Sequence, residues 1–136
     1  MFVFERAVRF EEVDAAGIVF FARFFEYCHG AMERFFDGVP GGYVDLITKR
    51  RVGFPAVHID AKWTAPLRYG DAMRIEVVIP RIGTTSCTFR YRFLRAADGA
   101  LVATIDHVTV ATALDTMTKT PLPPDCRTLL DSHRST

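Results

Sequence analysis

A chain of 136 residues with 49% hydrophobic side chains can bury one sizeable core, and nothing in it marks a second domain, so a single domain over 1–136 is expected. The 17 basic and 16 acidic residues are spread along the whole length, and a formal charge of +1 argues against nucleic acid as the main ligand. No run reaches ~18 uninterrupted apolar residues, and the start, with Glu5, Arg6 and Arg9, lacks the layout of an export signal, so neither export nor a membrane partner is expected. Cys28, Cys87 and Cys126 are odd in number, lack metal-ligand spacing and sit among apolar neighbours, which fits a reducing cytoplasm.

In chain order, "FVFERAVRF" is rich in Phe and Val and reads as a strand. From Phe21 to Phe36 the apolar positions Phe21, Phe24, Phe25, Cys28, Met32, Phe35 and Phe36 recur at steps of three and four. Arg23, Glu26, Glu33 and Arg34 fall elsewhere, which predicts one helix with a buried face. "DGVPGG" ends it with Gly and Pro, and a polar link containing "TKRR" follows. The remainder alternates with period two: Val57, Ile59, Ala61 and Trp63 on one face, then Met73, Ile75, Val77 and Ile79, then Cys87, Phe89, Tyr91 and Phe93, an "ADG" turn and a β-branched run. One strand, one long helix and about four antiparallel strands predict an α+β fold in which a curved sheet wraps the helix. Residues 128–136 read as a flexible polar tail.

The stretch "VDAAGIVFFARFFEY" holds the most informative residues. Asp14 precedes a turn made possible by Gly17, where a side chain would obstruct, and Phe21 then opens the helix. Neither Val19 nor Phe20 can cap that helix, so its first N–H groups are left open to an oxygen that gains negative charge. A carboxylate just upstream can then serve as nucleophile or general base toward a carbonyl held there. An Asp before a turn also has a simpler reading, as a turn former bonding backbone N–H groups, and spacing alone leaves both open.

The stretch "FEEVDAAGIVFFARFFEY" resembles the signature of the hotdog-fold acyl-CoA thioesterases of the 4-hydroxybenzoyl-CoA thioesterase and YbgC type. The likeness extends through "APLRYGDAMRIEV", "IGTTSCTFRYRF" and "TKTPLPPD", nearly the whole chain. It implies a hotdog fold and an acyl-CoA thioesterase working without metal or organic cofactor, with coenzyme A entering as part of the substrate. It also implies Asp14 as the catalytic carboxylate, the Phe21 backbone amide as donor to the thioester oxygen, and a homodimer or homotetramer with the site between subunits.

Departures bear on the substrate. Where many relatives have His or Tyr, Phe21 offers no hydrogen bond, so an apolar wall is expected from Phe20, Phe21 and Phe24. His29 replaces the acid that would lie near the ring hydroxyl of 4-hydroxybenzoyl-CoA. These features point to an aromatic, benzoyl-like acyl group or a short to medium chain. Thr85 and Ser86 are candidates for the pantetheine arm, and Arg81, with "KRR" at 49 to 51, Lys119 and Arg127, for the phosphates, against the plainer reading of solvated basic loops.

Two other functions stay in view: a protein that binds acyl-CoA or an acyl carrier without turnover, and a hydratase or dehydratase on the same fold. The latter commonly needs a His paired with an acid, and the Asp14 motif has none. Glu26 and Glu33, candidates for a carboxylate on the central helix, point outward by phase. Cys28 lies on the apolar stripe and reads as core, and no G-x-S-x-G elbow is present. His58, His107 and His133 show no paired metal spacing, and Asp106 and His107 alternate to opposite faces of a strand.

Overall fold

The computed structural model describes residues 1–135. The elements in chain order are β1 (Phe2–Ala7), α1 (Arg23–Phe35), α2 (Gly42–Thr48), β2 (Val52–Gly53), β3 (Ala56–Trp63), β4 (Ala72–Ile82), β5 (Ser86–Arg95), β6 (Leu101–Val110), β7 (Thr112–Ala113), β8 (Thr118–Lys119) and α3 (Pro124–Ser132). Five strands form an antiparallel sheet in the order β1-β4-β5-β6-β3, and the short β2, β7 and β8 form a second, small sheet. This is the hotdog arrangement that the resemblance implies.

The periodicity of the strands accounts for the core. Met73, Ile75, Val77 and Ile79 of β4 and Cys87, Phe89, Tyr91 and Phe93 of β5 are buried on one face, while Arg74, Glu76, Arg90 and Arg92 take the other. Helix α1 lies against the buried face with Phe24, Tyr27, Cys28, Ala31, Met32 and Phe35, a stripe at steps of three and four. Edge-to-face contacts join the layers, Phe24 to Phe93 at 5.2 Å and Phe35 to Phe89 at 5.5 Å. Each such ring, fully buried, contributes about 2–3 kcal/mol.

The structure corrects the helix boundary: α1 starts at Arg23, two residues after Phe21, and Phe21 is 56% exposed. The step of three from Phe21 to Phe24 is coincidence, and the buried stripe is completed by Tyr27 and Ala31. Two further α-helices occur among the described residues. The polar link begins as α2, which buries Leu46. The tail expected over 128–136 is corrected in the same way: Cys126 and Leu130 of α3 are buried, and Ile79 N–H donates to the His133 carbonyl while Ser135 N–H donates to the Ile79 carbonyl. These bonds occur where β4 slips register around Pro80, which has no N–H to give. Thr136 lies outside the described residues.

β3 is the outer strand beside β6, with no neighbour on its other side among the described residues. Val57, Ile59 and Trp63 on it are 60%, 42% and 40% exposed, so the sheet ends in an open, apolar edge. Among the described residues no helix is long and apolar enough to cross a membrane.

Candidate active site

Backbone hydrogen bonds hold the segment from Glu12 to Phe21. Phe20 N–H donates to the Glu12 carbonyl at 3.1 Å, Asp14 N–H to Ile18 at 2.9 Å, Gly17 N–H to Asp14 at 2.9 Å, and Val19 N–H to Leu67 at 2.8 Å. Gly17 has φ +80° with open space where a Cβ would project. Glycine is therefore required there by the left-handed backbone and not, as expected, by crowding. The Asp14 side chain does what the plainer reading says: Oδ1 accepts Ala16 N–H at 2.9 Å, an Asx turn. That bond occupies one oxygen of an exposed carboxylate and leaves Oδ2 without a protein partner among the described residues.

Glu12 anchors this segment from below. Its buried carboxylate accepts the Arg6 guanidinium at 2.6 and 2.7 Å, Arg9 N–H at 2.8 Å and the Tyr27 hydroxyl at 2.9 Å. Burial is the largest single influence and raises its pKa, but these bonds together outweigh it and hold the group below the usual glutamate range. Its partners lie at irregular distances along the chain, so no periodic signal marks it.

Ahead of α1 the first helical bonds run from Arg23, Phe24 and Phe25 back to Phe20, Phe21 and Ala22. The N–H groups of Phe21 and Ala22 donate to no protein acceptor among the described residues, and Ala22 has no side chain to cap the helix. Phe21 and Asp14 both line a cleft of about 530 Å³. Its walls are Phe20, Phe21 and Phe24 on one side and Trp63 with the segment Thr64–Leu67 on the other. Trp63 meets Phe21 at 6.1 Å and Phe24 at 5.8 Å, both edge to face. Trp63 and the following segment were missed from sequence, where "WTAPL" shows only a strand running into a turn.

The remaining predicted residues are not gathered at Asp14 within one chain. His29 is six residues along α1 from Arg23, about 9 Å. Arg81 is nine residues along β4 from Ala72, about 30 Å, and Thr85 and Ser86 lie just beyond it. Of the basic loop, Arg50 forms a two-pronged pair with Asp125 at 2.8 Å and Arg51 pairs with Asp115 at 3.0 Å, so both have partners already. Glu26 pairs with Arg23 and faces solvent, Glu33 is exposed, and Asp106 pairs with Arg90 on the face opposite His107. All three cysteines are buried free thiols. No group of three His, Cys, Asp or Glu among the described residues is placed to hold a metal.

The family model described as the thioesterase-like superfamily matches residues 8–130. The chain belongs to the thioesterase-like superfamily. A superfamily relative, the 1,4-dihydroxy-2-naphthoyl-CoA hydrolase of Nostoc punctiforme, is 29% identical over 98% of this chain and 88% of its own. Among solved structures, the 1,4-dihydroxy-2-naphthoyl-CoA thioesterase of Synechocystis superposes with a TM-score of 0.86 at 27% identity, covering 96% of this chain and 95% of that one. A gentisyl-coenzyme A thioesterase superposes at 0.82 with 25% identity, covering 92% and 98%. With these relatives the protein is placed among enzymes that hydrolyse thioesters.

Proposed function

We propose that the protein hydrolyses an aromatic acyl-CoA to the free acid and coenzyme A at the Asp14 cleft. The observation that carries this is one apolar cleft lined by an exposed carboxylate and by the turn whose Phe21 and Ala22 N–H groups are unused. The thioester oxygen accepts from the Phe21 amide, which stabilises the charge that gathers there when the carbonyl carbon is attacked. Asp14 either attacks that carbon or takes the proton of the attacking water, through the oxygen the turn leaves free. The chemistry calls for no metal or organic cofactor.

The aromatic walls formed by Phe20, Phe21, Phe24 and Trp63 suit a flat ring, and the relatives named for naphthoyl and gentisyl thioesters support the same class. The second subunit enters through the open edge. Two copies pairing antiparallel through β3 set the Trp63 end of one strand opposite the Ala56 end of the other. Ala56 and Cys87 both pair with Thr109, so that end of the sheet also carries Thr85, Ser86 and Arg81. Pairing would thus bring these residues and His29 toward the partner's Asp14 cleft, where Thr85 and Ser86 contact the pantetheine arm and Arg81 the phosphates. Coenzyme A release measured over benzoyl-, phenylacetyl-, dihydroxynaphthoyl-, short-chain and long-chain acyl-CoAs tests the reading, with aromatic thioesters expected to be turned over best. Preference for a fatty acyl chain would overturn the aromatic assignment, and a folded protein active on no thioester would favour a binding role.

A further inference from the structure

In the turn between β4 and β5, three consecutive backbone oxygens are taken by the chain that follows β6. The Thr84 carbonyl accepts Leu122 N–H at 3.0 Å and the Thr85 carbonyl accepts Ala111 N–H at 2.7 Å. Arg127 supplies the rest: its Nη2 donates to the Gly83 carbonyl and, at 3.4 Å, to that of Thr84. The N–H groups of Thr84 and Thr85 donate to no protein acceptor among the described residues. Arg127 is itself held in place. It sits on α3, which is rooted in the core by Cys126 and Leu130, and Asp125 on the same helix takes both prongs of Arg50 at 2.8 Å. Its guanidinium, suggested by sequence for the phosphates of coenzyme A, is instead committed to the turn.

We propose that Arg127 is a positioning residue for coenzyme A: by holding the Gly83 and Thr84 carbonyls toward α3, it turns the Thr84 and Thr85 N–H groups outward to bind the coenzyme. The inference rests on the thioesterase reading and on its assignment of this turn to the coenzyme A moiety. The Gly83 carbonyl and the Thr84 N–H belong to one planar trans peptide unit, in which the two groups face opposite ways, and the same holds for the Thr84 carbonyl and the Thr85 N–H. Fixing either oxygen on one side therefore aims the next N–H to the other. Glycine at 83 lets the first of these units rotate easily, so that unit is the one that most needs a clamp. Phosphate oxygens and the amide carbonyls of the pantetheine arm are acceptors, so a turn that presents donors suits them and a turn that presents carbonyls would repel them. Arg127 acts through the turn and touches no substrate.

The test measures kcat and KM for two thioesters of the same aromatic acid, one with coenzyme A and one with N-acetylcysteamine, which keeps the thioester and lacks the nucleotide and most of the arm. Wild type, Arg127→Ala and Arg127→Lys are compared, each checked for folding by circular dichroism. In Arg127→Ala the KM for the coenzyme A thioester and the inhibition constant of free coenzyme A are expected to rise by about tenfold, with kcat within about twofold. The N-acetylcysteamine thioester should keep its kcat/KM, and Arg127→Lys, which retains a donor for one carbonyl, should recover part of the affinity. The salt dependence of KM should match in wild type and Arg127→Ala, and a shallower dependence in the variant would mark a direct ion pair with phosphate and overturn the positioning role. An unchanged KM in folded Arg127→Ala, or equal losses on both thioesters, overturns the assignment of Arg127 while leaving the thioesterase reading intact. Absence of turnover of both thioesters by wild type overturns both.

Discussion

Replacing Glu12 by alanine removes the acceptor shared by Arg6, Arg9 N–H and the Tyr27 hydroxyl. Breaking a buried ion pair by deleting one partner costs about 3–5 kcal/mol. The Arg6 side chain is 25% exposed and its guanidinium also lies 4.4 Å from the Tyr27 ring centre, so water and the ring recover part of that loss. The unpaired, fully buried Tyr27 hydroxyl adds about 1 kcal/mol, for a total of about 3–4 kcal/mol. For a domain of this size that lowers the melting temperature by roughly 10–15 °C. Glu12→Gln keeps the shape and one oxygen acceptor and should lose about half as much.

The pH dependence has a definite sign. The folded pKa of Glu12 is depressed, so its stabilisation is complete above the ordinary glutamate value and is lost as pH falls through the lower, folded value. Wild type should therefore lose stability relative to Glu12→Gln below about pH 4. Thermal melts of the three proteins from pH 3 to 7 measure both effects. A Glu12→Ala melt within about 2 °C of wild type at pH 7 would refute the account of the anchor.

Leu130→Ala on α3 should cost about 2–4 kcal/mol, read by urea unfolding, because Leu130 is fully buried; a change near zero would restore the view of this segment as a loose tail. Burial pushes the thiols of Cys87 and Cys126 up to about 11 and about 12, and that of Cys28 higher still. Iodoacetamide at pH 8 should accordingly label none of them quickly in the native protein and all three after unfolding, with mass spectrometry as the readout.

Strands β3, β4 and β5 were legible because each alternates over eight or more residues, and the hotdog order follows once one long helix must be covered. Helix α2 was not legible: it spans seven residues, opens on glycine and buries only Leu46. Helix α3 carried a signal that went unused, Pro124 at its first position, where a missing N–H costs nothing. Asp14 and Phe21 could be found because the turn and the helix start are adjacent in sequence. Trp63 comes to its place through sheet pairing from far along the chain, which local pattern cannot report. Phe21 was assigned to the core by its spacing, yet it is exposed beside the cleft because the chain is still turning there and has not yet entered the helix.

The most direct measurement is Asp14→Asn, because an asparagine oxygen can keep the bond from Ala16 N–H while losing both charge and basicity. Steady-state thiol release from an aryl-CoA and equilibrium binding of the same ligand would be measured side by side for this variant and wild type. The account predicts a fall in kcat of about 10²–10⁴-fold with binding retained. Turnover at the wild-type rate would contradict the assignment of Asp14 to the chemical step, and loss of binding together with turnover would reduce it to the residue that shapes the turn.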